Sequence, residues 1–175
     1  MGTKPAIDPR DPLVLAAQAE QVGIKLEIVA GQTSWEAFPS WRHQEAVDRI
    51  RATLPRRKNT TATGCACIHI ADTYIAFADG SLKRPDIAVF CHAPLEAEKD
   101  SAVTLVPEAV IEVVSRGYEA KDMQLAPQFY LARGVKDVVI FDPDTQVVLH
   151  ATRNGLRRLT SPSRISLECG CRVMV

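Results

Sequence analysis

The sequence predicts an α+β fold, a mixed, curled sheet with helices packed mainly on one side. Two short β-branched runs, within Arg84–Phe90 and Pro107–Ser115, are typical of central strands that are buried on both faces. Segments that begin with helix caps alternate with segments of period-two hydrophobicity, and turn residues such as Asp142-Pro143 separate the later strands. These observations favour one domain that combines helices and strands.

Length and composition are those of a soluble globular protein. The 175 residues carry no net charge, 46% are hydrophobic and 24% are charged. No apolar run approaches the roughly 20 residues that span a bilayer, and the first residues lack the apolar core of a signal peptide. We therefore expect no membrane contact and a cytoplasmic location. Residues 1–10 are predicted to be a disordered lead-in, and residues 11–175 a single domain.

The first half of the chain shows two helices and a strand. Asp11-Pro12 predicts the start of a helix that runs to about Val22 and ends at Gly23. A strand follows over residues 24–29, with Glu27 on its polar face, either exposed to water or lining a cleft. Ser40 caps a second helix that ends at Pro55, and His43 lies on the inward stripe of this helix.

The later elements are mostly predicted strands. Residues 65–70 and 73–77 are expected to pair as a hairpin, and so are residues 138–141 and 147–150. A helix is expected from Pro127 to Gly134, packed through Leu125, Phe129 and Tyr130. Residues 165–175 supply one or two closing strands.

Two carboxylates stand where apolar residues are expected. Asp86 opens the first β-branched run, and Glu112 lies inside the second between Ile111 and Val113. An ionised carboxylate in such a place is costly unless a cation or a donor compensates it. Two of them on neighbouring strands repel each other unless a divalent ion lies between them. The pattern outlines a site for Mg²⁺ (or Mn²⁺), with the carbonyl of Val113 as a third ligand.

The same stretch resembles a known family. Arg84-Pro85-Asp86 before an apolar strand, followed by Pro107-x-x-Val-Ile-Glu-Val-Val-Ser115, is similar to the Uma-two family of restriction endonucleases, within the PD-(D/E)XK nuclease superfamily. The similarity extends over about Leu26–Gly155. It implies a restriction-endonuclease-like fold, DNA as the partner, and metal-dependent hydrolysis of phosphodiester bonds. It also implies that Asp86, Glu112 and Glu27 are catalytic, and that His43 and Ser115 line the site.

The chain departs from the family at the lysine of the site. The superfamily position holds Val114, and the position usual in the Uma-two family holds Ala126. The nearest cation is Lys121, which we expect to take the catalytic role, with Arg116 as a weaker substitute because arginine cannot accept a proton. The alternative is a catalytically impaired nuclease fold that acts as a nucleic-acid-binding or regulatory module. A symmetric homodimer would suit cleavage of two strands.

Zero net charge means that any contact with DNA must come from a local basic patch. The candidates are Arg56-Arg57-Lys58 and Arg157-Arg158, which are equally compatible with solvated loop ends.

The five cysteines form the pattern Cys65-x-Cys67, Cys91 and Cys169-x-Cys171. An odd number in a cytosolic chain argues against a disulfide framework, so we expect reduced, metal-free side chains that alternate on strands as small apolar residues. A domain whose two cysteine pairs hold a structural zinc ion is the remaining alternative.

Overall fold

Residues 11–36, 39–55, 64–119 and 121–175 are described by the computed structural model of the chain. The predicted lead-in over residues 1–10 and the basic patch Arg56-Arg57-Lys58 lie outside these ranges. Within them, no helix has the length and apolar character needed to cross a membrane.

Within the described ranges, three α-helices form where the sequence predicts them. They are α1 (Pro12–Gln21), α2 (Trp41–Thr53) and α3 (Ala126–Ala132), and a π-helical turn, Lys121–Leu125, leads directly into α3. The Asp11 side chain accepts a hydrogen bond from the N–H of Leu13 at 2.8 Å, and Ser40 accepts one from the N–H of His43. These caps satisfy donors that have no partner within the helix. Both predicted helix starts are confirmed.

The main sheet has six strands in the order β10-β9-β8-β7-β6-β3. Their bounds are β3 (Ile68–Ala71), β6 (Ile87–Phe90), β7 (Ala109–Val113), β8 (Asp137–Asp142), β9 (Val147–Thr152) and β10 (Gly155–Thr160). Strands β7 and β8 are parallel and the other neighbours are antiparallel, so the sheet is mixed as predicted. Every residue of β6 is buried, and so is every residue of β7 except the half-buried Glu112, which confirms the two predicted central strands.

A second sheet of four strands, in the order β2-β1-β5-β4, carries the N-terminal strand. Its strands are β1 (Lys25–Val29), β2 (Gln32–Glu36), β4 (Ile75–Ala76) and β5 (Leu82–Lys83). The predicted hairpin between residues 65–70 and 73–77 is wrong, because β3 joins the main sheet while β4 joins this one. The last strands, β11 (Arg164–Ser166) and β12 (Arg172–Met174), pair only with each other.

The helices cover both faces of the main sheet, and not mainly one face as predicted. On one face, α2 and the β11–β12 hairpin pack against alternate residues of β6, β7 and β8. On the other face, α3 packs through Phe129 and Tyr130, whereas Leu125 is 63% exposed. Burial on both faces follows from the near-continuous apolar character of the central strands.

The cysteines do not alternate on strands as small apolar residues. Cys65 and Cys67 lie in an irregular segment before β3, and the segment between β11 and β12 holds the C-terminal pair. Cys65 is bonded to Cys91, and Cys67 to Cys171, so the expectation of reduced cysteines is wrong. These partners are 26 and 104 residues apart in sequence, and only the packing of the C-terminal hairpin brings the second pair together.

Candidate active site

Asp86 and Glu112 lie side by side where β6 begins and β7 ends. Ala88 pairs with Val110 in the antiparallel register. Two residues before Ala88 and two after Val110, Asp86 therefore lies opposite Glu112, and both side chains point to the same face of the sheet. The N–H of Asp86 donates a hydrogen bond to Oε2 of Glu112 at 3.1 Å. The two carboxylates predicted to approach each other are therefore neighbours.

The carboxylate of Asp86 accepts hydrogen bonds from two directions. The N–H of Val113 donates to Oδ2 at 2.8 Å, and Nε2 of His43 lies 3.1 Å from the same oxygen. The amine of Lys25 lies 4.0 Å from Oδ1. Burial alone would lower the pKa of His43, but the hydrogen bond and the charge of Asp86 outweigh it and raise that pKa. The protonated imidazole is thus favoured, and it donates to Asp86.

Among the residues that the structure describes, Glu112 has hydrogen-bond donors but no cation in contact with its carboxyl group. The hydroxyl of Tyr130, on α3, donates to Oε1 at 2.7 Å. Burial and the negative charge of Asp86 raise the pKa of Glu112 to about 8, against the opposing influence of Lys83 and Tyr130. Near neutral pH, this side chain holds a proton unless a cation replaces it.

Glu27 has the opposite electrostatic environment. It is buried, with 1% of its surface exposed, but two cations contact its carboxylate. Lys83 Nζ lies 2.5 Å and Lys121 Nζ 2.9 Å from its Oε2 atom, and the N–H of Arg84 donates to Oε1 at 3.1 Å. Burial by itself would raise the pKa of Glu27, but the two lysine charges lower it to about 2. Glu27 is therefore an ionised carboxylate that holds two amines in place.

A cleft of about 500 Å³ opens beside the paired carboxylates. Its wall includes Asp86, Glu112 and Val113 together with the two predicted lining residues His43 and Ser115. Three residues predicted to belong to the site do not form part of this wall: Glu27, Lys121 and Arg116.

Arg116 is the clearest departure from the predicted site. Its guanidinium lies 3.5 Å from the carboxylate of Asp144, and its side chain is 86% exposed. It is therefore not placed to substitute for a lysine in the cleft.

Sequence reasoning missed Lys83. It named Lys121 as the lysine of the site, and the amine of Lys121 pairs with Glu27. The register of Ile28 with Leu82 places Lys83 directly opposite Glu27, and its side chain is 5% exposed. The available signal was Glu27 itself, because a buried glutamate on a strand requires a cation. No sequence pattern could identify its partner on β5.

Tyr130 was predicted only as a packing residue of α3. It is fully buried, and its ring packs against Phe129 and Phe77 while its hydroxyl reaches Glu112. A buried tyrosine usually finds a hydrogen-bond partner, and here that partner belongs to the carboxylate pair.

Comparison with known proteins identifies related sequences and folds. The sequence model of the Uma2 family, described as "Putative restriction endonuclease", matches residues 13–168. The fold is similar to the crystal structure of a protein described as a "putative nuclease belonging to DUF820" from Anabaena variabilis, with a TM-score of 0.61 and 18% identity. The match covers 81% of this chain and 80% of that one, and it shows a shared fold. A search of curated proteins finds no significant match.

Proposed function

As this chain belongs to the Uma2 family of nuclease-fold proteins, we propose that it is a metal-dependent endonuclease that hydrolyses phosphodiester bonds in DNA. The observation that carries this proposal is the pairing of Asp86 with Glu112 in the wall of one cleft. Paired carboxylates at adjoining strand ends are what a divalent cation requires, and such an ion supports phosphodiester hydrolysis.

The residues present fit a magnesium or manganese ion. Asp86 and Glu112 would hold it, with the carbonyl of Val113 as a third ligand, since Val113 lines the same cleft and its N–H group bonds the carboxylate of Asp86. The raised pKa of Glu112 indicates a carboxylate pair with too little positive charge beside it. Mg²⁺ takes one or two protein carboxylates and keeps several waters. When bound, the ion lowers the pKa of a coordinated water and withdraws charge from a phosphate oxygen.

Two lysines supply the positive charge that the family usually takes from one. Glu27 holds the amines of Lys83 and Lys121, and the charges of Glu27 and Lys83 act on Glu112, so Glu27 is a positioning residue in this proposal. Lys121, with 22% of its side chain exposed, is the more accessible of the two amines, whereas Lys83 is enclosed. In this proposal Lys121 stabilises charge on the phosphate, and Lys83 keeps Glu27 ionised.

His43 acts on Asp86. Its protonated ring donates to Oδ2 and holds the carboxylate in one orientation, leaving Oδ1 facing Lys25 at 4.0 Å. A carboxylate that is fixed before metal binding loses less conformational freedom when the ion arrives.

Contact with DNA is proposed for the surface around the start of α2. Trp41 is 85% exposed and lies two residues before His43 along the helix, and Trp35 on β2 is 57% exposed. Aromatic faces stack on nucleic-acid bases, with about 1–3 kcal/mol per stacked base. A homodimer would present two such sites to the two strands of a duplex.

The test is cleavage of supercoiled plasmid by the full-length protein with Mg²⁺ or Mn²⁺, and without either ion in the presence of a chelator. We expect nicking that depends on the metal and that Asp86→Asn abolishes. Asp100→Asn is the matched control, since this carboxylate is exposed and lies outside the cleft.

One observation favours the second candidate function, a nuclease-fold module that binds nucleic acid without cutting it. Both usual lysine positions hold apolar residues, Val114 and Ala126, and both are buried. Retained DNA binding with no cleavage in either metal would support that function and contradict the proposed one.

A further inference from the structure

Five cysteines from three separate segments meet at one end of the main sheet. Cys65 and Cys67 precede β3, Cys91 follows β6, and the turn between β11 and β12 supplies Cys169 and Cys171. Four of them are buried, with at most 5% of each exposed, and Cys91 is partly buried. Because Asp86 and Cys91 bracket β6, the cluster lies about 17 Å from the carboxylate pair along the strand.

The sulfur atoms are grouped around Cys65. Its Sγ atom forms one group with those of Cys67 and Cys171, and a second group with those of Cys91 and Cys169. Within each group all sulfur atoms lie within 4.8 Å of one another. In the part of the chain that the structure describes, these two are the groups of three or more His, Cys, Asp or Glu side chains whose ligand atoms all lie within 4.8 Å of one another.

The spacing corresponds to a tetrahedral thiolate site. Zn–S bonds of about 2.3 Å in a tetrahedron separate neighbouring sulfur atoms by about 3.8 Å. The Sγ atoms of Cys65 and Cys171 are 3.7 Å apart, although these two residues belong to different disulfides. Once the disulfides open, Cys65, Cys67 and Cys171 therefore offer three thiolates within reach of one ion, and Cys65 connects them to the second group, which holds the candidates for the fourth ligand.

We infer that the cluster is a redox-controlled zinc site. In the reduced protein, one Zn²⁺ is bound by Cys65, Cys67, Cys171 and a fourth thiolate from Cys169 or Cys91. The oxidised, metal-free form holds the Cys65–Cys91 and Cys67–Cys171 disulfides. A closed, four-thiolate site of this kind is structural, and it would tie the β11–β12 hairpin to the ends of β3 and β6.

The interconversion balances with a dithiol as reductant and a small-molecule disulfide as oxidant. Reduction places two electrons and two protons on each disulfide, which gives four thiols and two oxidised dithiols. Zinc then displaces the protons of the four ligand thiols. In the reverse direction, two equivalents of the small-molecule disulfide each remove two electrons from the thiolates, and the ion is released.

The experiment uses the full-length protein, reduced by a dithiol, freed of metal, and titrated with Co²⁺ and then with Zn²⁺. We expect one equivalent of Co²⁺ with the absorption bands of tetrahedral thiolate coordination, displaced by one equivalent of Zn²⁺. Zinc should also raise the Tm of the reduced protein. Oxidation of the same sample should release the zinc as two disulfides form. Fewer than one equivalent, a spectrum without thiolate bands, or zinc retained by the fully oxidised protein would each overturn the inference.

Variants locate the ligands. Cys65→Ser should lose the cobalt spectrum, because Cys65 belongs to both groups, whereas only one of Cys91→Ser and Cys169→Ser should do so. Asp86→Asn is the control for binding at the carboxylate pair, and it should leave the thiolate bands unchanged. A Cys65→Ser protein that folds and binds cobalt like the wild type would contradict the assignment. If that variant does not fold, the release of zinc on oxidation of the unmodified chain decides.

Discussion

Glu27 and Glu112 are two glutamates in one region of the molecule, Glu27 buried and Glu112 half-buried in the cleft wall, and their surroundings are opposite. Two lysine amines contact Glu27, and its pKa falls to about 2. Glu112 faces Asp86, receives only neutral donors, and its pKa rises to about 8. Burial raises the pKa of both carboxyl groups, so the neighbouring charges decide that the pKa of Glu27 is lowered and that of Glu112 is raised. In the proposed function, the compensated carboxylate holds two amines in place, and the uncompensated one accepts a cation.

The largest expected contrast is between Glu112→Gln and Glu27→Gln. Glu112→Gln should reduce metal-dependent cleavage by at least about 10³-fold, because it removes a proposed metal ligand, and it should leave the metal-free protein folded. Glu27→Gln should lower the free energy of unfolding by about 3–5 kcal/mol, because it leaves the buried amine of Lys83 without its charged partner. Plasmid nicking and chemical denaturation measure the two effects.

Glu168→Gln is the control for both variants, since Glu168 is exposed on the segment between β11 and β12. A Glu27→Gln protein as stable as the wild type, or a Glu112→Gln protein that cleaves normally, would remove the contrast between the two glutamates.

The next effect concerns the two lysines. Lys121→Ala should reduce cleavage about 10²–10³-fold, the usual cost of one positioned donor, with Tm nearly unchanged because Lys83 still pairs with Glu27. Lys83→Ala should instead lower Tm, since that side chain is enclosed. The matched control is Lys136→Ala, which removes a surface lysine paired with Glu108 at 2.6 Å.

Ala126→Lys complements these variants by restoring a lysine at the usual position of the family. If that change gains activity while Lys121→Ala loses none, Lys121 is not the catalytic amine and the chain is a degenerate nuclease.

The pH dependence of stability should differ in sign between the two glutamates. The folded pKa of Glu112 is raised from 4.5 to about 8, so its stabilising contribution is complete below pH 4.5 and is lost as the pH rises through 8. The folded pKa of Glu27 is lowered from 4.5 to about 2, so its contribution is present above pH 4.5 and is lost as the pH falls toward 2.

Thermal denaturation of the metal-free protein measures this difference. Between pH 5 and 9, Glu112→Gln should reduce the decline of Tm with pH by roughly 2–4 °C for each kcal/mol of pH-dependent stabilisation that it removes, and each pKa unit corresponds to about 1.4 kcal/mol. An unchanged slope in the variant would show that Glu112 does not titrate in this range.

The smallest expected effect is that of Tyr130→Phe. Losing the hydroxyl removes the 2.7 Å donor to Glu112 and costs about 0.5–1.5 kcal/mol, the usual net contribution of one hydrogen bond, because Glu112 is only half-buried. The pKa of Glu112 should rise further, so cleavage at pH 7 should fall more than cleavage at pH 9. Equal losses at both pH values would indicate a purely structural role for the ring.

The sequence by itself determined the central strands, the helix starts and the two carboxylates of the candidate site. β-branched runs, caps and turn residues act locally, so β6, β7, β8, α1 and α2 could be predicted from neighbouring residues alone. Asp86 and Glu112 were recognisable because a carboxylate within an apolar strand is costly wherever that strand lies.

Only the tertiary structure decided which distant residues compensate which charge. Lys83 meets Glu27 through the register of β1 with β5, and Lys121 reaches the same carboxylate from the turn before α3. The same holds for the cysteines, where Cys67 meets Cys171 across 104 residues. Local patterns carry no information on strand register or on the packing of a terminal hairpin, because these depend on the burial of whole faces and not on adjacent residues.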